Sequence, residues 1–317
     1  MLYKRQILKL IFFLSILIPS MSCRDAHGTE EPEASRETQG NLIFSVNAYS
    51  FSDLLSAKDF RDQEQVYTLF NLLDWCHDRG IKGLDPTGYF FPTYPEVPPD
   101  AYLAEFSDRA AELGVAITGT GIRNDFANPD PKIRAEGVER AKEWIVAASK
   151  MGAPVLRCFA GEIPEGYEDN WEEPAAWMVD CFKELLPLAA RYNVKIGIQN
   201  HGDMLQTAGQ CLYILEKLDS SRAGIIIDTG NFTTEDPYKD IEKLVPYAVN
   251  WQVKEFIDGY GGEIRTDYGK LIRIITEGGY KGFVPVETLK VRGEPYDPFR
   301  RVGQMLDELN AQLEVNP

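Results

Sequence analysis

Eight short apolar runs alternate with eight helical patterns between residues 41 and 313, and no other regularity restricts the fold of this chain so strongly. The runs are 42–48, 81–85, 115–120, 154–159, 194–199, 223–228, 250–254 and 283–287. Between them, apolar residues recur every three or four positions, as Val66, Phe70, Leu73 and Cys76 do within 63–79. Further helices are expected at 98–113, 128–151, 174–192, 204–218, 237–246, 267–277 and 297–313. Gly80, Gly114, Gly152 and the pair Gly278-Gly279 stand where such helices would stop. No linker, charge block or internal repeat interrupts the alternation. It predicts a single (β/α)8 barrel, an α/β fold, over 41–317 rather than an open sheet with a second domain.

Barrel strands all end at one face, where catalytic and binding residues gather. Four of the expected strands end on polar groups: Gln199, Asp228, Gln252 and Glu287. Two carboxylates and two amide oxygens form an oxygen-only donor set, which suits Mg²⁺, Mn²⁺ or Ca²⁺ better than Zn²⁺. Taken singly, each of these residues could merely cap its strand; the four together point to one shared site. Lys254 follows Gln252 with the inward alternation of a strand. It would either stabilise an enolate oxygen or form a buried ion pair with Asp228 or Glu287. His201 is the histidine nearest this site, and is read either as a structural hydrogen bonder or as a contact to a substrate hydroxyl. His27 precedes the barrel, and His77 is expected on a helix surface.

The amino terminus reads as a targeting segment. Residues 1–22 carry Lys4, Arg5 and Lys9, no acid, and an apolar run too short to span a bilayer. Ser20-Met21-Ser22-Cys23 resembles a bacterial lipoprotein signal in which Cys23 bears the lipid; an ordinary signal peptide cut near the same point is the alternative. A polar tether follows over 23–40. The expectation is an exported protein, periplasmic or anchored at the outer membrane, whose only membrane contact is the lipid. Net charge is −16, and −19 without the three leader cations, which argues against nucleic acid or anionic lipid as a partner. Cys76, Cys158, Cys181 and Cys211 are scattered without a CxxC pair and read as buried small hydrophobes.

With these segments in view, the chain resembles the xylose isomerase-like barrels, from residue 42 to 313. The segments that carry the likeness are 196–202, similar to that family's Glu-Asn-His strand end, then Ile227-Asp-Thr-Gly-Asn231, Gln252-Val-Lys254, similar to His-x-Lys, and Val286-Glu287. The resemblance implies a divalent metal held by Gln199, Asp228, Gln252 and Glu287, with Mn²⁺ or Mg²⁺ first and Zn²⁺ or Ca²⁺ as alternatives. It also implies carboxylates of the fifth and eighth strands acting as base and acid beside a carbonyl. This chain departs from the family in having Gln199 for Glu, Gln252 for His, and Asn231 where a further His often sits. Glutamine cannot accept a proton, so a mechanism with one carboxylate on each face of the carbon is not available at Gln199. Glu287 is then the candidate base, with Glu162 or Glu255 as substitutes.

Tyr49, Asp85, Arg123, Arg157 and Glu162 follow earlier strands and are expected, with Asn231, to bind substrate. Tyr89, Phe90, Phe91 and Tyr94 form an aromatic loop suited to stacking on a sugar. No glycine-rich phosphate loop is present. The expected partner is therefore a small carbohydrate, and a homo-oligomer is left open. The reading is an isomerase- or epimerase-like enzyme in which Glu287, Lys254 and His201 carry proton abstraction with metal assistance. The alternatives are a lyase or hydratase eliminating from a keto-sugar or 3-keto-glycoside, and a carbohydrate-binding protein on a barrel without activity.

Overall fold

The computed structural model describes residues 42–55, 67–259, 262–290 and 295–315. The expected leader 1–22, Cys23, the tether 23–40 and the first four positions of the helix expected from Gln63 lie outside the described residues.

Nine parallel segments make the barrel wall. In chain order the strands are β1 (Leu42–Asn47), β2 (Gly83–Asp85), β3 (Ala116–Ile117), β4 (Thr120–Gly121), β5 (Val155–Phe159), β6 (Lys195–Gln199), β7 (Ala223–Asp228), β8 (Ala248–Lys254), β9 (Phe256–Ile257), β10 (Ile264–Arg265) and β11 (Gly282–Glu287). Their lateral order is β3-β2-β1-β11-β8-β7-β6-β5-β4, with β9 and β10 paired separately as an antiparallel hairpin. Strands β3 and β4 are two halves of one expected run, broken at Thr118-Gly119. The first half pairs with β2 and the second with β5, and a parallel bridge from Thr87 to Gly121 joins the two ends. The ring thus has eight strand positions, as the alternation predicts.

The helices are α1 (Ser52–Leu55), α2 (Leu69–Asp78), α3 (Asp100–Leu113), α4 (Pro131–Met151), α5 (Glu172–Arg191), α6 (Ala208–Leu218), α7 (Pro237–Leu244), α8 (Tyr268–Glu277) and α9 (Pro298–Val315). Their ends follow local chemistry. Gly114 and Gly152 close α3 and α4 in the left-handed conformation. Asp130 caps α4 with Pro131 in its first turn. Thr68 and Asn71 box the start of α2, so that helix begins later than its apolar spacing suggests. The one-turn α1 and the β9–β10 hairpin were not expected, because neither has a periodic run long enough to register.

Side chains alternate across each strand. Ile196, Ile198, Ile225, Ile227, Trp251, Val253, Val284 and Val286 are buried together with helix residues such as Phe106, Trp144, Phe182, Ile272 and Leu309, forming the main core. Inside the barrel, Gly197 leaves room for Ile226 and Val155, from which a Cβ there would stand 2.7 and 2.8 Å. All four described cysteines are buried and free, as expected. Among the described residues, no helix is long and apolar enough to cross a membrane.

Helix α6 starts with a capping box in which Thr207 accepts from the Gln210 N–H and Gln210 reaches back to the Thr207 N–H. Thr207→Ala is expected to lower unfolding free energy by about 1 kcal/mol, as removal of such caps does. Urea unfolding checks this, and an unchanged midpoint contradicts it.

Candidate active site

The carboxyl ends of the strands surround a cavity of about 950 Å³. On its floor lie Arg157, Gln199, Gln252, Lys254 and Glu287, and its wall and rim include Tyr49, Tyr89, Arg123, Glu162, His201 and Asn231. Asp228 is fully buried behind the floor residues.

The floor is one connected network. Arg157 donates from Nη1 to Gln199 Oε1 (3.1 Å) and from Nη2 to the Ile122 carbonyl (3.2 Å). Its guanidinium also lies 4.0 Å from the centre of the Phe159 ring. It can take this route because Gly121 has no side chain: a Cβ there would stand 2.2 Å from Arg157 Nε. With its oxygen held by Arg157, the Gln199 amide presents its nitrogen to the centre. That nitrogen donates to Asp228 Oδ2 (2.7 Å) and Gln252 Oε1 (2.5 Å).

Lys254 completes the network. Its Nζ donates to Glu287 Oε1 and lies 3.4 Å from Asp228 Oδ2. Its backbone is fixed on both sides, the N–H donating to Thr229 Oγ1 and the carbonyl accepting from Thr266 Oγ1. Asp228 is clamped in turn: its main chain exchanges two hydrogen bonds with the Asn200 side chain, and Oδ1 accepts from the Gly230 N–H. Burial alone would push the Lys254 ammonium down, but the Asp228 and Glu287 carboxylates hold its pKa above the ordinary value. Burial raises the pKa of Glu287, and the Asp228 charge adds to that, while Lys254 opposes it.

The rim differs from the floor. His201 is exposed, with its ring 4.7 Å from that of Phe159. Desolvation lowers its pKa against the pull of Asp228, with Arg157 and Lys254 adding to the lowering. Glu162 accepts from the Asp203 N–H (3.1 Å), and its carboxyl is raised by burial and by the neighbouring Asp203 carboxylate. Arg123 lies 4.5 Å over the Tyr89 ring. Glu255 is held by Arg301 through both carboxylate oxygens (3.1 and 2.8 Å).

Of the residues singled out in the sequence, Asp85 does not line the cavity. It is buried one layer below, accepting from Asn250 Nδ2 (2.8 Å), two residues before Gln252 on β8. The aromatic loop also divides: Tyr89 reaches the cavity, whereas Phe91 and Tyr94 pack on Trp144. Phe159 and Asn250 escaped the sequence reading. Their signal was the inward alternation Arg157–Phe159 and Asn250–Gln252–Lys254, which was followed only for Lys254.

The four expected metal ligands meet, but their chemistry does not fit a divalent cation. Gln199 offers the centre an N–H₂ rather than an oxygen, and an ammonium already stands against both carboxylates. Among the described residues, no group of three or more His, Cys, Asp or Glu is arranged to hold a metal.

These features define a (β/α)8 barrel with a buried charged floor at the carboxyl face of its strands. The chain belongs to the xylose isomerase-like TIM barrel family, whose model matches residues 73–310. It is 28% identical over 207 residues to the C-glycoside deglycosidase alpha subunit of Arthrobacter globiformis, a match covering 62% of this chain and 49% of that one. The chain thus spans about half the length of that relative. Among solved structures, D-psicose 3-epimerase of Clostridium cellulolyticum superposes with a TM-score of 0.64 at 16% identity, over 86% of this chain and 97% of that chain. The 3-keto-D-glucoside 4-epimerase of E. coli gives 0.64 at 12% identity, over 86% and 100%. At these identities the two structures speak for the fold alone.

Burial pushes the Asp85 carboxyl up to about 6; Arg157 and Asn250 pull against this and Glu287 adds to it. An unfolded aspartate releases its proton near 4. The favourable contribution is therefore complete below about pH 4 and lost as pH rises through about 6. The gap between the two values corresponds to about 3 kcal/mol. Unfolding free energies of wild type and Asp85→Asn at about pH 4 and about pH 7 test this. The variant should gain on the wild type by about 2–3 kcal/mol over that interval; a constant difference contradicts it.

Proposed function

We propose that this protein is an enzyme that removes a proton from the carbon beside a carbonyl of a carbohydrate or polyol, with Glu287 as the base. The observation that carries the reading is the Glu287–Lys254 pair on the floor of the cavity. A buried carboxylate whose pKa is raised is a stronger base than an exposed one, and a fixed ammonium beside it can receive developing negative charge. Glu287 takes the proton, the C–H electron pair becomes the new carbon–carbon double bond, and the carbonyl pair moves onto oxygen as an enediolate. Lys254 bears on that oxygen. His201, Arg157, Arg123, Glu162, Tyr49 and Asn231 are assigned to substrate hydroxyls and the ring face.

From the enediolate, return of the proton to the neighbouring carbon, with the hydroxyl proton passing between the two oxygens, gives isomerisation, and expulsion of a leaving group two bonds away gives elimination. Inversion at one carbon needs a second proton donor on the opposite face, which Gln199 cannot supply. One base therefore favours isomerisation or elimination over epimerisation. Between these two, the cavity volume favours the second. At about 950 Å³ it lies at the upper end of the usual range for small-molecule sites, roomy enough for a glycoside as well as a single sugar. A relative named as a C-glycoside deglycosidase subunit supports the same choice. Residues 1–22 and Cys23 add the export proposal: a lipid-anchored protein at the bacterial envelope would meet unphosphorylated sugars.

Solvent-deuterium incorporation into a panel of keto-sugars and 3-keto-glycosides, followed by proton NMR, tests the chemistry. Wild type should exchange a proton beside the carbonyl of one substrate class. Glu287→Gln should reduce that rate by a factor on the order of 10²–10⁴, the usual loss with a general base. Sugar binding without any exchange contradicts the enzyme and makes the chain a carbohydrate-binding protein.

A further inference from the structure

We infer that the ammonium of Lys254 is the resident cation of this site, seated where the family's barrels are expected to hold a divalent metal. Five of the six side-chain oxygens of the expected ligand set already accept a hydrogen bond from within the protein. Gln199 Oε1 is held by Arg157, Asp228 Oδ1 by the Gly230 N–H, Asp228 Oδ2 and Gln252 Oε1 by the Gln199 amide, and Glu287 Oε1 by Lys254. A metal would have to break most of these bonds to collect three ligands.

Charge points the same way. The two glutamines contribute no negative charge, and the two carboxylates already face Lys254, with Arg157 one amide away. A divalent ion would enter beside two fixed cations, in a buried setting where like charges repel more strongly than in water.

The amide cannot simply turn over to help. If Gln199 rotated to aim its oxygen at the centre, its N–H₂ would face the Arg157 guanidinium, donor against donor. Arg157 is itself locked by the Ile122 carbonyl and the Phe159 ring. The space for the lysine is built in as well: a Cβ on Gly230 would lie 2.9 Å from Lys254 Cγ. The substitutions at 199 and 252 and the position of Lys254 thus form one coherent arrangement.

That Lys254 occupies the cation position stands on this geometry; that it serves as the electrophile rests on the proposed carbon-acid chemistry. The experiment separates the two. Purified full-length protein is titrated with Mn²⁺ and free ion is read from its aqueous EPR signal, for wild type, Lys254→Met and Lys254→Gln, with near-ultraviolet circular dichroism to confirm the fold. Wild type should leave the free Mn²⁺ signal undiminished. A Lys254 variant that folds, with its two carboxylates released, should bind at least about tenfold more tightly, an expectation from charge removal. One-to-one Mn²⁺ binding by wild type overturns the inference, as does equal affinity in wild type and a folded variant. Deuterium exchange by wild type should also proceed unchanged in EDTA. Absence of exchange under every condition, with Mn²⁺ bound by the folded Lys254 variant and not by wild type, removes the proposed reaction and leaves the cation assignment standing.

Discussion

A single ammonium wedged between two buried carboxylates organises the functional end of this barrel. Asp228 and Glu287 come from strands β7 and β11, and Lys254 rises between them from β8. One ammonium stands against both buried carboxylates, and removing Lys254 would leave two like charges facing each other. Every surrounding contact serves to hold that arrangement. Thr229 and Thr266 pin the lysine backbone, Asn200 pins the main chain of Asp228, and Gln199 fills the remaining side of the Asp228 carboxylate. A buried polar network is an asset only when its members are satisfied. Here nearly all are.

The barrel supplies the geometry by simple means. Parallel strands with alternating side chains send one set of residues to the helices and the other to the lumen, so residues two apart on β8 form successive layers. Asn250 meets Asp85 in the lower layer, Gln252 meets Gln199 above it, and Lys254 reaches the carboxylates at the cavity floor. Glycine then creates room where a long cation must pass a neighbouring strand or the turn that follows it, as Gly121 does for Arg157 and Gly230 for Lys254.

The fold was readable because its signal is redundant. Each of the long helices carried a periodic stripe, and several carried a stop or cap residue as well, so local errors did not accumulate. The split of the third strand left no trace, since Thr118 and Gly119 look like any small strand residues until β2 and β5 compete for them. The site was readable to the level of strand ends: Gln199, Asp228, Gln252, Lys254 and Glu287 do converge. What a linear pattern could not reveal was depth and direction. Asp85 ends a strand too, yet lies a layer too low to reach the cavity. The sense of the Gln199 amide is set by Arg157, a residue 42 positions earlier, and that sense decides whether the floor offers an oxygen or an N–H to what binds there. The ion-pair alternative for Lys254 was visible in the sequence, but not the fact that both carboxylates share it.

The central claim is that the cation of this site belongs to the polypeptide. Crystals of the full chain grown in Mn²⁺, with diffraction collected at the manganese absorption edge, test it most directly. The account predicts no anomalous peak beside Asp228 and Glu287, with density for Lys254 Nζ against both. A strong anomalous peak bridging the two carboxylates, with Lys254 turned away, would contradict it.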